Sequence, residues 1–118
     1  MPAYNFQEQF ADDVEGLIKR QTVRGKRKRP TGRGDDLYLY TGMRTKKCRL
    51  LLRTVCKKTE DIEICVGGFD FKDRAMLIGS PKADRFAQAD GFTDSEEMIE
   101  WFRKTYKTLP QKKEVIYW

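Results

Sequence analysis

Apolar residues recur along the chain with two different periods, and the change of period sets the expected order of elements. Phe6, Phe10, Val14 and Leu17 follow one another at steps of four, four and three, one stripe of a helix. Asn5 is the expected N-cap, Glu8 sits at the reciprocal capping-box position, and Gly16 marks the end. Residues 19–24 read as a short strand. Leu37-Tyr38-Leu39-Tyr40 alternates with period two, so its leucines face one side and its tyrosines the other, both against packed or ligand-filled space. Residues 47–57 form the longest strand candidate. Cys48, Leu50, Leu52, Thr54 and Cys56 are its expected core face, and Arg49, Leu51, Arg53, Val55 and Lys57 its partly solvated face.

Further strands are expected at 62–66 and 74–78, with Gly67-Gly68 as a turn or bulge between them. Phe69 and Phe71 alternate similarly and default to core packing. Residues 86–90 read as a helical turn stopped by Gly91. Thr93-Asp94-Ser95-Glu96 is a capping box opening a second helix, whose buried side carries Met98, Ile99, Phe102 and Tyr106. Pro110 breaks that helix, and residues 115–118 close the chain as a strand. Runs of strands with helices set apart indicate an α+β fold, a mostly antiparallel sheet or small β-barrel. At 118 residues the chain is expected to form one domain, 1–118, whose core stands without disulfides or a metal.

Charge sharpens this picture. The net charge is +6, but residues 19–58 hold 15 basic side chains against two acids, a local +13, while the remainder holds 9 against 16, or −7. A positive region on an acidic body is the footprint of a polyanion-binding surface. Its densest part is Arg24-Gly25-Lys26-Arg27-Lys28-Arg29, followed by Pro30-Thr31-Gly32-Arg33-Gly34, and glycine and proline make this a loop. Arg44, Lys46, Lys47 and Arg49 form a second cluster. With Arg20, these side chains are the expected nucleic-acid contacts, and Tyr38 and Tyr40 offer rings for base stacking. Gly32-Arg33-Gly34-Asp35 lacks the Lys-Ser/Thr of a phosphate-binding loop and reads as a tight turn, with Asp35 bonded to backbone amides. Trp101 and Trp118 are read as structural.

Histidine is absent, which removes Ser-His-Asp triads, Cys-His pairs and histidine-bearing zinc sites. Cys48, Cys56 and Cys65 lack a zinc-ligand spacing, and an odd number makes a poor disulfide framework. They are expected to be small buried hydrophobes in a reducing cytoplasm; no metal and no cofactor are expected. No apolar run has a membrane-spanning length and no signal peptide is visible, so a cytoplasmic protein without a membrane partner is expected.

Taken in order, Gly16-Leu17-Ile18-Lys19, Gln21-Thr22-Val23-Arg24, the basic loop, Gly34-Asp35, Leu37–Tyr40, then Phe86-Ala87-Gln88-Ala89-Asp90-Gly91-Phe92, Ser95-Glu96-Glu97-Met98 and Trp101-Phe102 resemble the ASCH domain family. The resemblance covers most of the chain, from about Phe6 to Trp118. It implies a PUA-like β-barrel with an N-terminal helix and a second helix packed on it, and a cleft for RNA, a nucleoside or a nucleotide. One branch of that family removes the acyl group from N4-acetylcytidine, using a Lys, a Thr three residues on and a Glu before the later helix. Lys19 and Thr22 match, and Asp90 stands where that branch has Glu. Other members are associated with cutting RNA, so the resemblance leaves binding, deacylation and RNA cleavage open.

The residues themselves allow such chemistry. Without histidine, a base must be Lys or a carboxylate, and a nucleophile Thr, Ser or Cys. Lys19 serves as a base if burial and nearby cations lower its pKa. Thr22 is then the activated hydroxyl, Asp90 the proton donor to a leaving amine, and Arg24 a forked contact to a carbonyl or phosphate oxygen. Residues three apart on a regular strand point to opposite faces, so Lys19 and Thr22 converge only if Lys19 precedes the strand or a bulge intervenes.

Overall fold

A computed structural model describes residues 2–118. Eight strands and three helices follow the order β1 (Ala3–Phe6), α1 (Glu8–Glu15), β2 (Gln21–Arg24), β3 (Asp36–Thr41), β4 (Arg49–Val55), β5 (Lys58–Cys65), β6 (Gly68–Phe71), β7 (Ala75–Leu77), α2 (Pro81–Ala89), α3 (Ser95–Tyr106) and β8 (Gln111–Tyr117). The fold is α+β. The strands form a three-stranded sheet, β1-β3-β4, and a five-stranded sheet, β2-β8-β5-β6-β7. All pairings are antiparallel except β1 with β3. No ladder joins the two sheets into a closed barrel among the described residues. The chain passes from one sheet to the other at Cys56-Lys57. Cys56 still bonds on the β3 side, its N–H donating to Asp35 O, whereas Lys57 N already donates to Tyr117 O.

Two cores result, and β8 feeds both. Val115 joins Ile62, Ile64, Phe69 and Phe71 under α2 and α3, where Phe86, Met98, Ile99 and Phe102 are buried. Its neighbour Ile116, with Trp118, joins Leu37, Leu39, Leu51, Tyr4, Phe6 and Val14 under α1. Period-two alternation along one strand thus links the two sheets.

The N-terminal pattern misleads because Phe6 and Phe10 fit a helical stripe across an element boundary. Tyr4 and Phe6 are buried alternately in β1, and the helix starts only at Glu8, with Gln7 as N-cap. Asn5 does not cap: its side chain accepts from Met43 N at 2.9 Å. Leu17 leaves the stripe altogether, being 49% exposed. In β4 the pairing slips between Leu39 and Tyr40, so that Leu39 opposes Leu52 and Tyr40 opposes Leu50. That bulge inserts Leu51 as an extra residue, which is buried, while Leu50 and Cys48 turn outward. The expected core face of β4 therefore holds only from Leu52 to Cys56.

Two elements at the far end depart from the pattern. Gly68–Phe71 is a strand of its own, and the core packing expected of Phe69 and Phe71 is observed. The helix expected at 86–90 begins earlier, at a Ser80-Pro81 start in which Ser80 Oγ accepts from Ala83 N. The second capping box is displaced by one residue: Asp94 caps α3 by accepting from Glu97 N, and the Glu97 carboxylate accepts from Thr93 N. Tyr106, expected on the buried side of α3, is 39% exposed at its end.

Candidate functional site

The turn after α1 settles where Lys19 points. Gly16 caps the helix, and Leu17 takes the left-handed conformation at φ 63°. Ile18 N and Lys19 N then both donate to Asp13 O, at 2.8 and 2.9 Å. The chain reverses before β2 begins at Gln21, so the strand parity that separates positions 19 and 22 does not apply. Thr22 and Arg24 share one face of β2, and Lys19 reaches the same cavity from before the strand.

That cavity, of about 160 Å³, is lined by Lys19, Thr22, Arg24 and Asp90 together with Asn5, Phe6, Phe10, Phe92, Trp101 and Tyr106. For scale, an apolar cavity of about 150 Å³ admits a benzene ring. Asp90 arrives as the C-cap of α2. The next residue, Gly91, has φ 103°, and a Cβ there would lie 2.5 Å from Phe10 Cε1. Glycine thus permits both the left-handed turn and the close approach of Phe10. Phe10, Phe92 and Trp101 then follow as an aromatic wall, with successive ring centroids 6.4 and 6.0 Å apart.

Lys19 is 4% exposed and Asp90 is 7% exposed. Lys19 Nζ donates to Asp90 O and lies 3.4 Å from Asp90 Oδ1. Oδ1 forms no aligned hydrogen bond among the described residues. The Lys19 ammonium also lies 5.4 Å from the Phe10 ring centroid and 5.8 Å from that of Phe6. Burial pushes the Lys19 pKa down against the pull of Asp90, and Arg24 adds to the lowering. Burial likewise pushes Asp90 up against the pull of Lys19. Both shifts run toward the uncharged forms, each opposed by the partner's charge. Arg24 is also held down by burial. Its Nε donates to Thr22 Oγ1 at 2.9 Å and its Nη2 to Asn5 O at 2.6 Å, with the guanidinium 4.9 Å from the Phe6 centroid. Arg24 therefore fixes the Thr22 hydroxyl oxygen, leaving that hydroxyl its proton to give.

The basic residues separate into tied and free groups. Arg27 stacks on Tyr4 at 4.3 Å and donates to Ala3 O, and Tyr4 Oη meets Thr31 Oγ1 at 2.6 Å, so the basic loop is fastened to β1. Lys26 pairs with Asp61 and Arg49 with Glu15. Arg20 points away from the cavity and donates to Trp118 O. Lys28, Arg29, Arg33, Arg44, Lys46 and Lys47 are exposed, with no ion pair among the described residues. The two free clusters sit at opposite ends of β3. Asp35 closes the turn before β3, accepting from Gly32 N at 2.8 Å as expected.

Tyr38 and Tyr40 do not join the cavity. The bulged pairing leaves them on the outer face of the three-stranded sheet, opposite Arg53 and Leu50, with Arg53 over Tyr38 at 5.3 Å. Leu37 and Leu39 occupy the interior instead. The aromatic residues at the cavity are instead Phe6, Phe10, Phe92, Trp101, Phe102 and Tyr106. Trp101, expected to be structural, is 38% exposed at the cavity wall. The sequence signal for it is an aromatic pair, Phe92 and Trp101, on either side of a helix start following Asp90.

Of the cysteines, Cys56 alone is fully buried. Glu63, Cys65 and Asp70 bring ligand-type atoms within 4.8 Å of one another. Burial and the two acids push the Cys65 thiol up, and it donates to both carboxylates. No helix among the described residues is long and apolar enough to cross a membrane. No protein-family model, curated protein or solved structure matches the chain.

The buried pair predicts opposite pH signatures for its two halves. In Lys19→Met, Asp90 keeps a raised folded pKa, the folded state holds the extra proton, and stability falls as pH rises above the usual carboxylate range. In Asp90→Asn, the lowered Lys19 pKa means the unfolded state holds the extra proton, and stability rises with pH toward the usual lysine range. Each single change costs about 3–5 kcal/mol near neutral pH. Urea melts of both variants from about pH 5 to pH 9 check this; parallel profiles contradict it.

Proposed function

We propose that this chain is an RNA- or nucleotide-binding domain of ASCH, PUA-like type, whose cavity beside β2 takes a single base or nucleoside. The observation that carries the reading is the cavity itself, which combines an aromatic wall with the polar side chains of Lys19, Thr22, Arg24 and Asp90. Aromatic rings supply stacking of about 1–3 kcal/mol per base. Lys28, Arg29 and Arg33 at one end of β3, and Arg44, Lys46 and Lys47 at the other, suit the phosphates of a strand running past the cavity. The two loops lie about 20 Å apart along a six-residue strand, a span of several nucleotides. The protein then works in the cytoplasm, on RNA or its nucleosides.

A second reading, hydrolysis of an N4-acylated cytosine nucleoside, is favoured by one specific observation, the convergence of Lys19, Thr22 and Asp90. In the neutral form of the pair, Lys19 takes the Thr22 proton as Thr22 Oγ attacks the acyl carbon. Arg24 holds the carbonyl oxygen, and the Asp90 carboxyl gives its proton to the departing exocyclic nitrogen. Water then releases the acyl group from Thr22.

Single-stranded RNA binding is expected to weaken steeply with salt. Neutralising Lys28, Arg29 and Arg33 together should reduce the log–log salt slope by about 0.7 for each phosphate they no longer neutralise. Fluorescence anisotropy across a salt series reads this, and an unchanged slope removes those residues from the interface. For the hydrolytic reading, purified protein with N4-acetylcytidine should release acetate along a bell-shaped pH profile. The profile falls on the acid side as the pair gains a second proton and on the alkaline side as it loses its shared one. Thr22→Ala should abolish turnover with the fold retained. Absence of acetate at high enzyme concentration leaves binding alone, and product from RNA instead would reassign the chemistry to cleavage.

A further inference from the structure

The cavity does more than sit beside β2; it wraps around that strand's free edge. Thr22 and Arg24 line it from one face of the strand, and Val23, whose side chain packs with the α3 core, lines it from the other. One cavity touched by both faces must lie off the edge. β2 is the terminal strand of its sheet and pairs only with β8. The pairing phase is fixed at its start, where Trp118 N donates to Arg20 O at 3.0 Å, and the register continues as Thr22 with Ile116 and Arg24 with Glu114.

In an antiparallel pair, alternate residues exchange both backbone bonds with the partner strand, and those between turn theirs outward. Thr22 and Arg24 therefore bond to β8. Gln21 and Val23 direct N–H and C=O away from it, and Val23 does so at the cavity. Neither Val23 group finds a backbone partner among the described residues. Val23 is half-buried, so its outward N–H and C=O stand side by side at the cavity, where a ligand seated in it can supply the complement.

We propose that the Val23 N–H and C=O read the ligand, as one donor–acceptor pair, along the edge of a planar heterocycle held against the Phe10–Phe92–Trp101 wall of the cavity. This rests on the reading of the cavity as a base site and deepens it. The recognised feature is an acceptor next to a donor on the ring, as in the N3–H and adjacent carbonyl of uracil. The side chains Lys19, Thr22 and Arg24 then remain for the substituents of the ring. The strand edge fixes orientation with groups that no side-chain substitution removes, save one.

That one is proline, which an edge strand tolerates where the N–H is unpaired. Val23→Pro deletes the donor without costing a bond to β8, and Val23→Ala controls for the packing of the valine side chain. Calorimetric titration with uridine and with 3-methyluridine, whose N3–H is replaced by methyl, reads the contact. Uridine should bind the wild type. Methylation and Val23→Pro should each weaken binding about tenfold or more, and Val23→Ala by less than about threefold. Should Val23→Pro fail to fold, the wild-type amide decides: on adding uridine the Val23 amide proton should move downfield and exchange more slowly, with those of Thr22 and Arg24 steady. Equal uridine affinity in Val23→Pro and Val23→Ala, or an unmoved Val23 amide, overturns the inference and leaves the base site standing. Failure of uridine and every other nucleoside to bind the wild type overturns both.

Discussion

Two opposite charges buried at the head of one cavity set the terms for everything around them. An ion pair removed from water costs more in forfeited hydration than an apolar pair of the same volume, and stability alone gives no reason to keep it. Lys19 and Asp90 are nevertheless brought together across 71 residues of chain. The elements that do so are each specific: a left-handed Leu17 that turns α1 back onto β2, and a glycine after Asp90 that lets Phe10 close over the turn. Two separate backbone devices thus deliver a costly pair to one cavity, beside a hydroxyl fixed by an arginine.

The surrounding architecture follows from a shortage of partners for β2. The strand is four residues long, bonded on one side to β8 and bare on the other. α1 and β1 approach the bare side from one sheet, and the second half of α3 from the other. Their aromatic residues stop short of filling the gap. Because β8 contributes Val115 to one core and Ile116 to the other, the cavity lies at the joint between the two packed halves, where ligand sites commonly form. The basic loop after β2 is no loose tail. Arg27, Tyr4 and Thr31 fasten it to β1, which presents Lys28, Arg29 and Arg33 outward from an anchored base.

Much of the site is legible in the sequence because its residues lie where local rules are strong. Gly16 signals the end of α1, and the Lys19 to Thr22 spacing, through the resemblance it carries, points to one cleft shared with Asp90. The α+β class follows from the order of periodic segments. What stays hidden is long-range. β1 pairs in parallel with β3, across the whole of α1 and β2, and nothing local distinguishes Tyr4 and Phe6 from the start of a helical stripe. The bulge at Leu51 depends on how β3 meets β4, so the strand's period alone puts Cys48 and Leu50 on the wrong side. Charge density identifies the basic loops but not which cations are already paired, since Glu15 and Asp61 lie far away in sequence. Tyr38 and Tyr40 stay outside the cavity, which Trp101 lines, because the leucines between them take the interior.

Both functional readings require Lys19 to be a desolvated amine at a ligand cavity. The most direct measurement is nitrogen NMR of the side chains in protein labelled at the lysine Nζ, followed through a pH titration and then through addition of nucleoside monophosphates. The expected result is one lysine that titrates below the surface lysines, vanishes as a separate signal in Lys19→Met, and shifts on nucleotide addition. A Lys19 signal that titrates with the surface lysines and ignores every nucleotide would contradict it.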